Sequence, residues 1–298
     1  MPMPNPDSDQ AIVVGVGSIG VRHHKVLEDM GFTVGTVSRR QGVGEFETIA
    51  AAIGASKPSY VVIATETHRH MESLLDLIAT GYTGPVLLEK PILDRPCSLP
   101  PLPFESIAIG YNLRFHPAVQ ALREAVSDAE IISAQARYGQ YLPDWRPGRD
   151  YRQTVTAGVG GGVLLELSHE IDLVNWIFGP STVLFGVSLQ SGNLEMVRED
   201  LAVGILRLPD GGLASFELNC LDRVQNRTFT VTTSDSFLQL DLIAGSLTVN
   251  GKTVLSGPVD RNETFTAMHR AVLHGEPGPC SPAEAMEVLE LVERLRGS

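Results

Sequence analysis

At 298 residues the chain is long enough for two domains and a sizeable core. The formal net charge of −12 argues against nucleic acid or an anionic membrane as the main partner, because both bind broad basic surfaces. Three scattered cysteines form no Cys-x-x-Cys motif, which predicts a reduced, cytoplasmic location. Residues 1–10 lack a basic and apolar leader and are interpreted as a frayed terminus, and no apolar run is long enough to span a bilayer.

The stretch 11–20 predicts a buried strand, a sharp turn and the start of a helix. Its apolar, β-branched run is followed by a Gly-x-Gly-x-x-Gly pattern. Glycines there let the chain turn, let a pyrophosphate approach the backbone and let the helix pack on the strand, and the N–H groups of the first helical turn then face the anion. The alternative is a purely structural turn, but the strand and helix around the motif favour dinucleotide binding. The predicted contacts are Gly15, Gly17, Ser18, Ile19 and Gly20.

A second predicted strand, 32–38, ends at Ser38-Arg39-Arg40. Its end should reach the adenosine ribose of a bound dinucleotide, where an NAD site usually carries Asp or Glu. A hydroxyl and two guanidiniums suit a 2′-phosphate instead. The alternative is an ordinary solvated basic loop. The position favours NADP as the cofactor over NAD.

Strands predicted at 60–65, 86–91 and 106–111 alternate with helical stretches, at 45–54 and 71–79. This alternation predicts an α/β fold with a parallel, doubly wound sheet. The proline-rich segment that follows the fourth strand cannot form a normal crossover helix.

After residue 115 the pattern changes to that of an α+β domain. A strand at 131–141 precedes an apolar helix at 163–178, and a capped helix is expected at 281–296. Between the two helices the alternating runs predict an open antiparallel sheet. Those runs are 182–190, 200–208, 213–220, 227–233 and 237–249. The predicted domains are therefore 1–115 and 116–298.

Two sets of titratable residues are candidates for proton transfer. Lys90 follows Glu89 at the carboxyl end of the fourth strand, the edge at which such sheets bind ligands, although a lysine there could simply point into solvent. His169 lies on the apolar helix with Glu166 and Asp172 within one turn, so it suits general acid–base chemistry, although it could equally be a hydrogen-bonded core histidine. The histidine spacings predict no metal site.

The segment 142–152 is rich in arginine and aromatic residues. Trp145 and Tyr151 suit stacking on a sugar or base, and Arg146, Arg149 and Arg152 suit a carboxylate or phosphate. Arg114 is a possible further substrate contact. In the alternative interpretation the arginines make surface ion pairs with aspartates of the same loop.

Several motifs in this order resemble the Gfo/Idh/MocA oxidoreductases, a family that includes glucose–fructose oxidoreductase and inositol dehydrogenase. The motifs are Gly15-Val-Gly-Ser-Ile-Gly20 followed by Arg22-His23, then Ile63-Ala-Thr-Glu-Thr-His68, Glu89-Lys-Pro91, Gly110-Tyr-Asn-Leu-Arg-Phe115 and 160–172. The resemblance implies a Rossmann domain and an open-sheet domain often used for dimer or tetramer contacts. It also implies that Lys90 and His169 are catalytic. The residues it places near the nicotinamide are Thr65, Thr67, His68, Glu89, Lys90 and Asn112.

One departure from the family pattern concerns the partner of His169. The family commonly has an aspartate four residues before this histidine, where this chain has Leu165. Either Glu166 substitutes for it, or Asp172 orients His169 alone. The predicted function is an NADP(H)-dependent oxidoreductase of a sugar, sugar acid, nucleotide sugar or cyclitol, and the arginine loop favours an anionic substrate. The alternative is a non-catalytic NADP-binding regulator with the same fold.

Overall fold

The computed structural model describes residues 9–146, 148–154, 156–158 and 160–297. They form two compact units. The first contains the chain up to Asn112 together with Asp260–Ala285, and the second contains Leu113–Val259 and the residues after 285. The predicted boundary near 115 lies close to the first crossing, but the predicted second domain was continuous and did not include the return of Asp260–Ala285 to the first unit.

The elements below are numbered in chain order. The described strands are β1 (Gln10–Val14), β2 (Thr33–Val37), β3 (Tyr60–Ile63), β4 (Val86–Leu88), β5 (Ile107–Ile109), β6 (Ile131–Gly139), β7 (Thr182–Leu189), β8 (Leu201–Arg207), β9 (Leu213–Asn219), β10 (Asn226–Thr233), β11 (Phe237–Asp241), β12 (Ser246–Val249) and β13 (Lys252–Leu255). The described α-helices are α1 (Ser18–Asp29), α2 (Ile49–Ser56), α3 (His70–Ala79), α4 (Pro117–Ala125), α5 (Val163–Glu166), α6 (Ser168–Phe178), α7 (Arg261–His274) and α8 (Pro282–Arg296).

The first unit is built on a five-stranded sheet in the order β2-β1-β3-β4-β5. Every strand pair in it is parallel, which confirms the predicted doubly wound sheet. Strands β3 and β4 are buried at every residue, as expected for strands covered on both faces. The strand order reverses between β1 and β3, so the crevice at their carboxyl ends is the place where ligands bind in sheets of this kind.

The connection from β4 to β5 is irregular and contains no helix, as its prolines predict. Helix α7 packs against α1 and β4 in the same unit. This helix was not predicted from the sequence, although both of its end signals are present. Asp260 caps its N-terminus by accepting a hydrogen bond from the backbone of Asn262, and Gly275 ends it in the left-handed conformation with a φ of 64°.

The second unit is built on an eight-stranded sheet in the order β13-β12-β11-β10-β6-β9-β8-β7. The predicted antiparallel sheet is confirmed, with one parallel pair in it, β6 with β9. The run 237–249 is a hairpin of β11 and β12 rather than one strand, and β13 was not predicted. The predicted helix 163–178 is broken at Leu167, which separates α5 from α6.

One face of this sheet is apolar and exposed along its β7–β8 end. In β8 the side chains alternate between buried and exposed positions from Ala202 to Arg207. The exposed large apolar side chains on these two strands are Leu184, Phe185, Val187, Leu189, Val203 and Ile205. Among the described residues, no helix combines the length and apolar character needed to cross a bilayer.

Candidate functional site

The glycine motif after β1 forms a turn that larger residues could not form. Gly15 has a φ of 102°, and a Cβ there would lie 2.5 Å from the carbonyl oxygen of Ala64. A Cβ on Gly20 would overlap the carbonyl oxygen of Gly15. Gly17 is the N-cap of α1 and faces open space, with no described atom within 4 Å of a Cβ built on it. The turn therefore lets α1 pack closely on the sheet and leaves an open approach above Gly17.

The N-terminus of α1 is suited to an anion. In the described part of the chain, no side chain caps α1 and no acidic residue lies in its first turn. The first N–H groups of a helix point outward and carry a partial positive charge. Ser18 and Ile19 lie in this turn, immediately after the open position at Gly17. Together the turn and the helix fit the pyrophosphate of a dinucleotide.

The two predicted phosphate-binding arginines, which both follow β2, lie in different surroundings. Nη2 of Arg39 lies 2.6 Å from Oε1 of Glu72 and 3.6 Å from Oδ2 of Asp76 on α3. The hydrogen bond from Arg39 lowers the pKa of Glu72. Arg40 is exposed, and its backbone N–H donates to the Oγ of the buried Ser38 at 3.2 Å. Arg39 is therefore paired with carboxylates of its own unit. Among the described residues, Arg40 has no carboxylate within 4.0 Å.

The loop after β3 is tied to the loop after β4 by a residue that was not predicted to belong to the site. His70 is buried, and its Nε2 lies 3.1 Å from the carbonyl oxygen of Thr65. Its Nδ1 lies 3.0 Å from the carbonyl oxygen of Pro91. Thr67 begins a short 3₁₀ turn, and His68 is exposed on it. The ring of His70 thus links the two strand ends that carry Thr65 and Lys90.

Glu89 and Lys90 follow β4 directly, at the same sheet edge as Gly15 and Thr65. The Glu89 carboxylate is buried; its Oε2 accepts the backbone N–H of Lys90 at 3.1 Å. Its Oε1 lies 2.9 Å from Nε2 of His23 on α1. Lys90 is half-buried, and its peptide bond to Pro91 is cis. The structure therefore brings the ends of β1, β3 and β4 together with the predicted residues that follow them.

Asn112 lies just beyond the end of β5 and is buried. Its side-chain amide donates a hydrogen bond of 2.7 Å to Oγ1 of Thr264 on α7. One of its amide hydrogens is therefore used within the first unit. The prediction that Asn112 contacts the nicotinamide remains a prediction.

In the second unit two arginines hold the helix that carries His169. The buried Glu170 carboxylate receives a 2.5 Å hydrogen bond from Nε of Arg227 on β10. Asp172 is forked by Arg114, with Nε at 3.0 Å from Oδ2 and Nη2 at 2.6 Å from Oδ1. The predicted role of Arg114 as a substrate contact did not include this ion pair.

His169 lies in the first turn of α6 and is half-buried. Glu166 lies on α5, before the break at Leu167, so the predicted helix that carries both residues is interrupted between them. Whether Glu166 or Asp172 partners His169 stays an open prediction.

The arginine loop lines a small pocket that opens to solvent. Arg152 pairs with Asp150 at 2.8 Å and with Glu195 at 3.3 Å, which is the surface ion pairing of the alternative interpretation. Among the described residues, Arg146 and Arg149 have no ion pair within 4.0 Å. The residues lining the pocket are Leu142, Pro143, Trp145, Arg146, Arg149, Tyr151, Thr154 and Thr156.

Both aromatic side chains of this pocket are oriented by hydrogen bonds. Nε1 of Trp145 donates to the carbonyl oxygen of Gln140 at 3.2 Å. The hydroxyl of Tyr151 accepts from the backbone N–H of Glu195 at 3.0 Å. Within the part of the chain that the structure describes, no group of three His, Cys, Asp or Glu side chains could hold a metal ion.

Comparison with known proteins links these features to one family. Residues 119–238 match the family model of the GFO/IDH/MocA C-terminal domain. The chain is 25% identical over 154 residues to the rhizopine catabolism protein MocA of Rhizobium meliloti, a match that covers 49% of this chain and 46% of that protein. The match thus spans about half the length of that curated relative.

Two solved structures share the fold over nearly the whole chain. GenD2 from gentamicin A biosynthesis, in complex with NAD, is 21% identical with a TM-score of 0.78, covering 97% of this chain and 94% of that one. The UDP-N-acetylglucosamine 3-dehydrogenase GnnA from Acidithiobacillus ferrooxidans is 17% identical with a TM-score of 0.77, covering 97% of each chain. The family model over residues 119–238, the MocA match and the shared fold confirm the resemblance to the Gfo/Idh/MocA oxidoreductases that the motifs indicated.

Proposed function

We propose that the protein transfers hydride between a nicotinamide dinucleotide and a CH–OH carbon of a sugar, sugar acid, nucleotide sugar or cyclitol. One observation carries the proposal. The open turn at Gly17 and the lysine Lys90 lie at the carboxyl edge of one parallel sheet, at the reversal of strand order. GnnA, whose name states a sugar-nucleotide dehydrogenase, has the same fold and supports this substrate class.

The chain would supply binding, orientation and proton transfer. A nicotinamide bound there supplies or accepts the hydride. Gly17 and the first turn of α1 would hold the pyrophosphate, while Thr65, Thr67 and His68 would border the cofactor on the loop after β3. Lys90 and His169 would exchange the proton of the reacting hydroxyl. Glu166 or Asp172 orients the imidazole of His169.

For the cofactor we infer NADP(H) rather than NAD(H). Arg40 is exposed and the hydroxyl of Ser38 lies beside it, a pair that suits a 2′-phosphate. Arg39 contributes less than the sequence suggested, because Glu72 and Asp76 already neutralise it. These two carboxylates also repel a phosphate, so the preference depends mainly on Arg40. GenD2, in contrast, was solved with NAD.

For the substrate we infer an anionic sugar. Arg146 and Arg149 line a pocket with Trp145 and Tyr151, so two cations and two aromatic rings surround one small space. The arginine that does make ion pairs, Arg152, is not among the lining residues.

We also propose that the chain assembles as a homodimer or homotetramer in the cytoplasm. The exposed apolar side chains on β7 and β8, among them Phe185 and Val187, form a face that water solvates poorly and a second copy could cover. The molar mass in solution, measured by light scattering, tests this. A monomer at micromolar concentration would contradict it.

The experiment that tests the proposed function is a substrate screen followed by optical absorbance. Purified protein is mixed with NADP⁺ or NAD⁺ and a panel of neutral sugars, sugar acids, nucleotide sugars and cyclitols, and the growth of reduced nicotinamide is recorded. Turnover is expected with at least one member of the panel. Tight cofactor binding by calorimetry, with no turnover in either direction for the whole panel, would favour the non-catalytic regulator.

A further inference from the structure

Four polar side chains of the first unit form a continuous buried hydrogen-bonded chain that begins at Glu89 and ends at Tyr60. Oε1 of Glu89 lies 2.9 Å from Nε2 of His23, and Nδ1 of His23 lies 3.0 Å from Nε2 of His269. Nδ1 of His269 lies 2.9 Å from the hydroxyl of Tyr60. His23, His269 and Tyr60 are fully buried, and Glu89 is 6% exposed. The chain joins α1, α7, the first residue of β3 and the residue after β4.

The hydroxyl at the far end sets the direction of this chain. A buried O–H that donates to no acceptor destabilises the fold, so the proton of Tyr60 must be directed at a partner. The one hydrogen-bond partner of this hydroxyl among the described residues is Nδ1 of His269. Burial raises the pKa of Tyr60 well above its usual value, so the phenol keeps its proton. Tyr60 therefore donates and His269 accepts.

The two imidazoles then have only one consistent arrangement. Burial and the neighbouring His23 lower the pKa of His269 well below its usual value, so its ring is neutral and carries its single proton on Nε2. That N–H donates to Nδ1 of His23. Nδ1 of His23 is consequently an acceptor, and its proton lies on Nε2, where it donates to Glu89. Both histidines are in the Nε2–H tautomer.

The other end of the chain is fixed as firmly. The second oxygen of Glu89 accepts the backbone N–H of Lys90 at 3.1 Å, so both oxygens accept and the side chain is a carboxylate. A Cβ on Gly110 would lie 2.7 Å from Oε1 of Glu89, so only a glycine allows the carboxylate to occupy this place. The rings of the chain are also packed edge to face, His23 against His269 at 5.0 Å and His269 against Tyr60 at 5.6 Å between centroids.

We propose that Tyr60, His269 and His23 are positioning residues that set one tautomer along the chain and thereby orient the Glu89 carboxylate and the backbone of Lys90. The catalytic part of this inference rests on the proposed function, in which Lys90 moves a proton. Apolar residues at these four positions could stabilise the unit as well as this chain does, because burying four polar groups carries a desolvation cost. It does give a single geometry at the sheet edge, which apolar packing would not.

The first test is the tautomer state, which does not depend on any activity. In protein labelled with ¹⁵N-histidine, long-range ¹H–¹⁵N spectra at neutral pH should show His23 and His269 as Nε2–H tautomers. Signals are assigned by their loss in His23→Gln and His269→Gln. In Tyr60→Phe, which keeps the ring packed, Nδ1 of His269 loses its donor and the nitrogen shifts of both histidines should move. The matched control is Tyr82→Phe, because Tyr82 is a buried tyrosine of the same unit that donates to the carbonyl oxygen of Pro85.

The second test is kinetic. Tyr60→Phe should lower kcat by roughly 10-fold, within the ~10²-fold that a small displacement of a reacting group costs, and leave KM for the dinucleotide within about twofold. Tyr82→Phe should change neither. A wild-type His269 protonated on Nδ1, or unchanged nitrogen shifts in Tyr60→Phe, would overturn the proposed chain. If the spectra agree and no sugar is turned over by the wild type, the failure belongs to the proposed function and not to the tautomer assignment.

Discussion

The second unit contains the same ion pair in two environments. Arg114 forks Asp172 under α6, and Arg152 forks Asp150 in the arginine loop. The geometries match closely, with Nη2-to-carboxylate distances of 2.6 and 2.8 Å. The exposed side-chain fractions do not, at 2% and 1% for the first pair and 53% and 31% for the second. The two ion pairs have the same chemistry but are expected to contribute differently to stability.

The difference lies in what water does when one partner is removed. In the buried pair the remaining charge has no solvent to replace its partner, so breaking it is costly. In the exposed pair water and salt screen the attraction, and either side chain can be solvated alone. The Arg114–Asp172 pair and the Arg227–Glu170 pair therefore hold α6, which carries His169. The exposed Arg152–Asp150 pair contributes little to the stability of its loop.

The largest expected effect is the loss of catalysis when His169 or Lys90 is replaced. We predict that His169→Ala and Lys90→Met each lower kcat by roughly 10²–10⁴-fold, the usual scale for a positioned acid or base. Affinity for the dinucleotide should barely change, because neither residue is asked to bind the phosphates. Steady-state kinetics and calorimetry on the same preparations measure both.

Two exposed residues give the matched controls for this experiment. His274→Ala and Lys252→Met remove the same side chains at exposed positions far along the chain, and they should keep full activity. A His169→Ala or Lys90→Met enzyme that also kept full turnover would remove that residue from the mechanism.

The two forks can be compared directly by measuring stability. Asp172→Asn should lower the free energy of unfolding by about 3–5 kcal/mol, because it removes one charge of an ion pair whose two side chains are both buried. Asp150→Asn should leave the unfolding midpoint in urea almost unchanged, since both members of that pair are largely solvated. Equal destabilisation by the two variants would show that burial does not separate the pairs.

The same distinction explains which features the sequence could predict. The parallel sheet was predictable because strands such as 60–63 are continuous apolar runs, and the nucleotide turn because Gly15 and Gly20 occupy positions that exclude a side chain. The break at Leu167 and the parallel pairing of β6 with β9 follow from tertiary contacts and have no local signal.

The buried polar partners were the least predictable part of the site. His23 and His269 are 246 residues apart in sequence, and neither forms part of a spacing motif with the other. Helix α7 was missed because its inward face carries polar residues such as Thr264 and His269, which weaken its apolar periodicity. The sequence shows which residues carry charge, but only the fold shows which of them water can reach.

A smaller effect is expected at the cofactor end, where an exposed charge is predicted to matter. NADP(H) should bind at least tenfold more tightly than NAD(H), a difference of about 1.4 kcal/mol, and Arg40→Ala should remove most of it. Glu72→Gln should strengthen NADP(H) binding, because it releases Arg39 from its ion pair. Calorimetric titration of both cofactors decides, and equal affinities in the unmutated protein would refute the NADP assignment.

The smallest effect is expected in the arginine loop. Arg149 is exposed, so its attraction for an anionic sugar acts partly through water and should be worth only a severalfold change in KM. Arg149→Ala should raise KM for a sugar acid or nucleotide sugar and leave kcat and NADP(H) binding unchanged. In the unmutated protein the same KM should rise with salt.

Arg152→Ala is the matched control, because Arg152 is an arginine of the same loop that already pairs with Asp150 and Glu195. It should leave KM and its salt dependence unchanged. If a neutral sugar is turned over as efficiently as its anionic analogue, with no salt dependence, then Arg149, like Arg152, does not bind the substrate anion. In that case the loop is held by surface ion pairs, and the anion specificity must be abandoned while the oxidoreductase assignment stands.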